Sequence, residues 1–242
     1  MNRIGIYGSL GRMGQAIVAA MPALEAVHAG GVDAGEDPGP LARECDVLVD
    51  FSAPAALDAH LNAALAAGTP IVIGTTGLSP HHHDAIDAAA ERIAVLQTGN
   101  TSVGVGLVMA LVRDAARKLG QEWDIEIVEM HHRDKVDAPS GTALMLGEAA
   151  AAGRETTIAE TGVQGRAGLV GARARGTIGF SSLRGGTVVG DHNVVFAGNG
   201  ERIEIGHYAQ DRAIFAAGAV KAALWLAGRA PGRYRMDQVL GL

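Results

Sequence analysis

The chain has 242 residues, 48% of them hydrophobic and 19% charged, with a formal net charge of -6 and one cysteine. That length holds one large domain or two modest ones and can bury a core without staples. A lone Cys45 excludes an internal disulfide and a cysteine zinc site, and the acidic balance argues against a nucleic-acid binder. Low-charge stretches break well before the ~20 apolar residues that a membrane span needs. The opening residues Met1–Ile6 carry no apolar run suited to a signal peptide. A cytoplasmic, globular protein is expected.

The first hundred residues alternate apolar runs with helical patterns. Ile4–Tyr7 reads as a strand and Met13–Met21 as the helix after it. Further strands are expected at Val27–Val32, Cys45–Phe51, Pro70–Ile73 and Arg92–Leu96. Pro54–Ala67 places Leu57, Leu61 and Leu65 on one helix face, and a helix is expected around Asp84–Glu91. Strands separated by helices predict right-handed βαβ units and a doubly wound parallel sheet covered on both faces.

The pattern changes after about residue 102. A helix at Gly106–Lys118 leads into a half-buried strand at Trp123–Met130, a polar loop and a helix around Thr142–Ala152. Thr177–Arg184, Thr187–Ala197 and Glu201–Tyr208 read as strands between glycine-rich turns, and Arg212–Leu226 as a final helix. Ala149–Ala152 and Gly162–Arg175 read as mobile surface. This second part is expected to be an α+β domain built on an open mixed sheet.

Gly8-Ser9-Leu10-Gly11-Arg12-Met13-Gly14 falls between the first strand and the first helix. Its spacing is G-x-x-G-x-x-G rather than the common G-x-G-x-x-G, but the physics is shared. Glycines let the chain turn tightly and bring backbone N–H groups at a helix start against a pyrophosphate. Asp33 ends the second strand, where an acidic residue accepts hydrogen bonds from an adenosine ribose. A carboxylate there repels a 2′-phosphate, whereas Arg12 could reach one, so the balance favours NADH without excluding NADPH. Gly74-Thr75-Thr76-Gly77 and Gly99-Asn100-Thr101-Ser102 follow the fourth and fifth strands and should face the same crevice.

The most informative stretch is Glu129-Met130-His131-His132-Arg133-Asp134-Lys135-Val136-Asp137-Ala138-Pro139-Ser140-Gly141-Thr142. Histidines beside Arg and Lys create a positive field. Pro139 suits the first turn of the following helix, and Ser140, Gly141 and Thr142 offer N–H and hydroxyl donors, so the loop reads as a receptor for a carboxylate or phosphate. His131 or Lys135 could serve as a general acid. No third ligand at a suitable spacing supports a metal at His131/His132, and His81-His82-His83 reads as an exposed turn beside a helix start.

This run closely resembles the signature of the dihydrodipicolinate reductase (4-hydroxy-tetrahydrodipicolinate reductase) family. The resemblance extends through Gly8–Gly14, Gly74–Gly77, Asn100–Gly104, Leu183–His192 and Pro231–Leu242, and so covers nearly the whole chain in order. Thr101, where members often carry a larger apolar residue, and the glycine-loop spacing are its departures. The resemblance implies a Rossmann-type dinucleotide-binding domain at 1–102 completed by 211–242, and a substrate and oligomerisation domain at 103–210 that assembles a homotetramer. It implies NAD(P)H-dependent reduction of a small cyclic imine dicarboxylate in lysine and diaminopimelate biosynthesis, without metal.

By motif, the resemblance makes His131 the proton donor or acceptor and Lys135 a second catalytic group. His132, Lys135, Ser140, Gly141 and Thr142 would hold substrate carboxylates. Gly8, Ser9, Leu10, Gly11, Arg12, Met13, Asp33, Gly74, Thr75, Thr76, Thr98, Gly99, Asn100 and Thr101 would hold the cofactor. Arg184 lies in a matching segment with no role assigned. The rival readings are another nicotinamide-dependent dehydrogenase and a non-catalytic dinucleotide sensor. A short-chain dehydrogenase is disfavoured, because no tyrosine has a lysine four residues on.

Overall fold

The computed structural model describes residues 1–241; Leu242, the end of the expected 211–242 segment, lies outside them. In chain order the elements begin β1 (Arg3–Tyr7), α1 (Arg12–Ala20), β2 (Val27–Val32), α2 (Gly39–Glu44) and β3 (Val47–Asp50). They continue α3 (Leu57–Ala67), β4 (Ile71–Ile73), α4 (Pro80–Ala90), β5 (Ala94–Gln97) and α5 (Val103–Leu119). Next come β6 (Asp124–His131), α6 (Gly141–Gly153), α7 (Ile158–Thr161), β7 (Gly162–Gln164) and β8 (Ile178–Arg184). The chain closes with β9 (Gly190–Ala197), β10 (Arg202–Ala209), α8 (Ala213–Leu226), β11 (Gly232–Tyr234) and α9 (Met236–Val239). Two compact units result, one from 1–103 with the segment from 213 onward, the other from 104–212.

The first unit is a six-stranded sheet in the order β11-β5-β4-β3-β1-β2, with every pairing parallel. Its strands are short and apolar because both faces are covered. Ile4, Ile6, Val47, Val49, Val72 and Leu96 pack on one side with Ile17 of α1 and Ala219, Val220 and Leu226 of α8. Tyr7, Leu48, Ile71, Ile73 and Val95 face the other side, against Leu57 and Leu61 of α3 and Ile86 of α4. Strand order reverses beside β1, so the loops after β1 and β3 flank the crevice where open α/β sheets bind ligands.

The second unit is a mixed sheet, β10-β9-β6-β8-β7. Here β6 lies parallel to β8 and antiparallel to β9. Ile125, Ile127, Phe180, Val194 and Phe196 bury one face against Val112 and Ala116 of α5 and Leu146 and Ala150 of α6. Gly147 admits the Phe180 ring, since a Cβ there would stand 2.4 Å from Cζ. The opposite face carries Leu183 and Tyr208, both exposed within this chain.

Several local expectations change. His81–His83 form the first turn of α4 rather than a separate turn: the helix starts at Pro80, and the Ser79 N–H donates to His82 Nδ1 at 3.0 Å. Pro139 precedes its helix, because Ser140 is the N-cap and its hydroxyl accepts from the Ala143 N–H. Ala149–Ala152 are not mobile surface; they lie in α6, with Ala150 and Ala151 buried. Gly162–Arg175 is tied down as well. Gly162–Gln164 pairs with β8, and Arg173 donates to the Ile125 and Thr177 carbonyls while bridging Asp124 and Glu126. Thr187–Ala197 becomes a strand only from Gly190. The short α2, α7, β7, β11 and α9 have too few residues to show a period. No helix is long and apolar enough to cross a membrane among the described residues.

Candidate active site

Strand β6 alternates strictly, so the face that carries Ile125 and Ile127 into the core delivers Glu129 and His131 to the same side at its carboxyl end. Both are buried, Glu129 at 1% exposure and His131 at 9%. His131 Nδ1 lies 2.6 Å from Glu129 Oε2. In register on β8, Arg184 pairs with His131 and grips Glu129 with two nitrogens, Nη1 to Oε2 at 2.8 Å and Nη2 to Oε1 at 2.9 Å. The Ser140 N–H adds a longer bond to Oε1 at 3.3 Å. Burial alone would raise the Glu129 carboxyl, but hydrogen bonds from Arg184, Ser182 and His131 reverse that and bring it down to about 2.

Opposite Glu129 on β9 stands His192, whose ring meets that of His131 edge-on at 5.1 Å. Its Nε2 lies 2.8 Å from Ser140 Oγ. That hydroxyl also accepts from the Ala143 N–H, while His192 Nδ1 is buried without a hydrogen-bond partner. Burial first, then the proximity of His131, push this imidazole down to about 4. Gly190 completes the wall: a Cβ there would come 3.0 Å from His131 Nε2.

Around this buried cluster lies the polar loop. Lys135 Nζ is held by both Asp137 oxygens at 2.8 Å, and this ammonium keeps the Asp137 carboxyl below the usual range. His132, with Asp134, Thr187, Gln210 and Arg212, lines a cavity of about 520 Å³. Of the residues expected to hold carboxylates, Ser140 is committed to Glu129 and His192, whereas Gly141 faces open space at the start of α6. Among the described residues no three His, Cys, Asp or Glu side chains converge as a metal site.

In the first unit the glycine loop has the tight geometry that a pyrophosphate needs. Gly8 adopts φ +82°, and a Cβ on Gly14 would stand 2.3 Å from the Gly8 carbonyl oxygen. Gly11 caps α1 without any side-chain bond to the helix N–H groups. Asp33, at the end of β2, accepts from Ser9 Oγ at 2.6 Å and from the Leu10 N–H at 3.1 Å. The residues present therefore fit a dinucleotide, with backbone donors at the turn and a carboxylate placed for a ribose.

Other expected cofactor residues turn their side chains inward. Thr75 Oγ1 donates to buried Asp50 at 2.8 Å, Thr98 Oγ1 to the Asn100 carbonyl, and Thr101 Oγ1 to the Phe215 carbonyl at 2.7 Å. Only their backbones remain to meet a ligand. Asp50 also takes Ser52 Oγ at 2.7 Å and His60 Nδ1 at 2.8 Å, which pins the loops after β3 and β4 together. Sequence reasoning assigned no role to Glu129, His192 or Asp50. For Glu129 a signal existed, since residues i and i+2 of a strand share a face; nothing local points to His192 or Asp50.

Known proteins place this chain. Residues 2–101 match the family model "Dihydrodipicolinate reductase, N-terminus" and residues 104–240 match "Dihydrodipicolinate reductase, C-terminus". It is 52% identical over 247 residues to the 4-hydroxy-tetrahydrodipicolinate reductase of Zymomonas mobilis, covering 99% of this chain and 97% of that one. Identity to the protein of the same name from Methylocella silvestris is 50% over 264 residues, with the same coverage of both chains. The fold is also that of a dipicolinate-bound dihydrodipicolinate reductase from Paenisporosarcina sp. TG-14, at a TM-score of 0.76, 22% identity and 97% coverage of both chains. With both halves matched and half of all positions shared along the full length, the chain belongs to the dihydrodipicolinate reductase family.

Proposed function

We propose that this enzyme, a nicotinamide-dependent oxidoreductase, reduces 4-hydroxy-tetrahydrodipicolinate to tetrahydrodipicolinate in the cytoplasmic synthesis of diaminopimelate and lysine. The observation that carries the reading is the buried Glu129–His131 pair beside Lys135 and the start of α6, an acid next to cationic and N–H donors in an otherwise acidic chain. A small cyclic imine with two carboxylates suits such a receptor.

The cofactor supplies a hydride. It is held by Gly8, Ser9, Leu10, Gly11, Arg12, Met13 and Asp33, together with the backbones of Gly74–Thr76 and Thr98–Thr101. The Asp33 carboxylate, already drawn to Ser9 and Leu10, favours NADH over NADPH. On the substrate side, Lys135 exchanges Asp137 for a carboxylate, and His132 and the N-terminal N–H groups of α6 receive carboxylate oxygens. After loss of the hydroxyl as water and hydride addition, the electron-rich ring carbon must gain a proton. His131 gives it from its ring, a placement typically worth ~10²–10⁴-fold. The unit formed by 1–103 and the C-terminal segment binds the dinucleotide, and 104–212 binds substrate. The exposed Leu183 and Tyr208 face meets further copies in a homotetramer.

Nicotinamide absorbance, followed while purified protein meets substrate made in situ from pyruvate and aspartate semialdehyde, tests this reading. Substrate-dependent oxidation is expected, faster with NADH. His131→Ala and Lys135→Ala should each lose most turnover with NADH affinity nearly unchanged. Tight cofactor binding without oxidation would leave a dinucleotide sensor instead.

A further inference from the structure

We propose that Glu129, braced by Arg184, is a positioning residue that fixes His131 as an acid with a single transferable proton, carried on Nε2. The proposal deepens the reductase reading and takes its reaction from it. Its argument starts from hydrogen-bond inventory. An ionised carboxylate only accepts, so the 2.6 Å contact between Glu129 Oε2 and His131 Nδ1 makes Nδ1 the donor. The neutral ring is then the Nδ1–H tautomer with a lone pair on Nε2, and the protonated ring has only the Nε2–H to give.

Arg184 explains why the proton stays on the ring. A carboxylate at 1% exposure beside an imidazolium would otherwise escape the cost of burial by taking that proton. Two guanidinium bonds, at 2.8 and 2.9 Å, hold it as an anion. Gly190 keeps side-chain atoms off Nε2, since any Cβ there would stand 3.0 Å from that atom. The other charged or titratable groups about the pair are His192 on β9, His207 on β10, and Lys135 and Asp137 in the loop. Of these, His192 meets His131 ring to ring in a T-shaped contact, and Lys135 is closed on Asp137.

In the proton step the Nε2–H bond breaks and its pair stays on nitrogen. The pair that forms the new C–H bond comes from the carbon–carbon double bond of the reduced substrate ring. The imidazole is left as the neutral Nδ1–H form, and water restores its proton. Glu129 takes no proton at any point; it sets which nitrogen acts and favours the charged ring before transfer.

Glu129→Gln keeps a carbonyl acceptor for Nδ1 and removes the charge. The variant should lose ~10–100-fold in kcat at neutral pH, with KM for NADH within about twofold. The pH profile of kcat should change with it, because the anion facing Nδ1 is gone. In a His131→Ala background the same change should cost nothing further. A loss with an unshifted profile, or one that adds fully to His131→Ala, overturns the proposal. If the variant does not fold, long-range 1H–15N spectra of the wild-type protein decide, with His131 identified by its absence in His131→Ala. The Nδ1–H tautomer supports the proposal and the Nε2–H tautomer overturns it. Wild-type protein without turnover would refute the reductase reading alone, and the tautomer would still judge this one.

Discussion

His192 should make the second unit acid-sensitive in a window set by its own burial. Folded, its ring stays neutral down to about pH 4, whereas in an unfolded chain an imidazole takes up a proton at about 6.5. The unfolded state therefore binds more protons across that interval. Stability from the neutral ring is complete above about 6.5 and is lost as pH falls toward the folded value. The whole interval is worth about 3 kcal/mol, of which about 2 kcal/mol goes between pH 7 and pH 5. Glu129 acts lower, between about 4.5 and its folded value of about 2, so the two groups separate by pH. His192→Asn, which can still meet Ser140 Oγ but does not titrate, removes only the first. Urea unfolding followed by Trp123 fluorescence in a Trp225→Phe background reads the second unit. With a slope of about 2 kcal/mol per molar, the wild-type midpoint should fall about 1 M further than that of the variant over this pH step. Equal falls in the two proteins would refute the reasoning.

Two further outcomes concern the first unit. Gly14→Ala places a methyl 2.3 Å from the Gly8 carbonyl oxygen. The backbone must yield there, and NADH affinity measured by fluorescence titration should drop at least about tenfold, or about 1.4 kcal/mol. Wild-type affinity in that variant would show that the loop does not seat the dinucleotide. Asp33→Asn removes the charge opposed to a 2′-phosphate and should shift the NADPH-to-NADH ratio of kcat/KM about fivefold toward NADPH. An unchanged ratio would place the discrimination on Arg12 or elsewhere.

The parallel sheet and the second, mixed sheet were legible in the sequence wherever an element was long enough to show its period. The parallel sheet followed from apolar runs separated by helical patterns, and β6 from the alternation of Ile125 and Ile127. The boundary residues were harder. The helix after the polar loop starts at Gly141, with Ser140 as its cap, rather than at Pro139, because the cap is chosen by the hydroxyl that reaches Ala143. The triple histidine enters a helix because His82 accepts the Ser79 N–H. Arg173 looked like part of a mobile stretch; its anchorage depends on Asp124 and Glu126, which sit far away in the chain.

Local chemistry is written in the chain itself. A glycine turn between a strand and a helix, an acid at the end of the next strand, and a cationic run before a capped helix are each set by neighbours a few residues apart, and those neighbours are fixed by backbone geometry. Beyond Glu129, two residues away on the same strand face, what surrounds His131 was decided by tertiary structure. Glu129 gains Arg184 from 55 positions away through the β6–β8 register, and the helix cap Ser140 meets His192 at a separation of 52. In the first unit, partners distant in the chain likewise turn Thr75 and Thr101 inward, to Asp50 and to the Phe215 carbonyl of α8. A buried polar group must find a partner wherever the sheet brings one, and that choice belongs to the register of strands, which no short stretch of sequence contains.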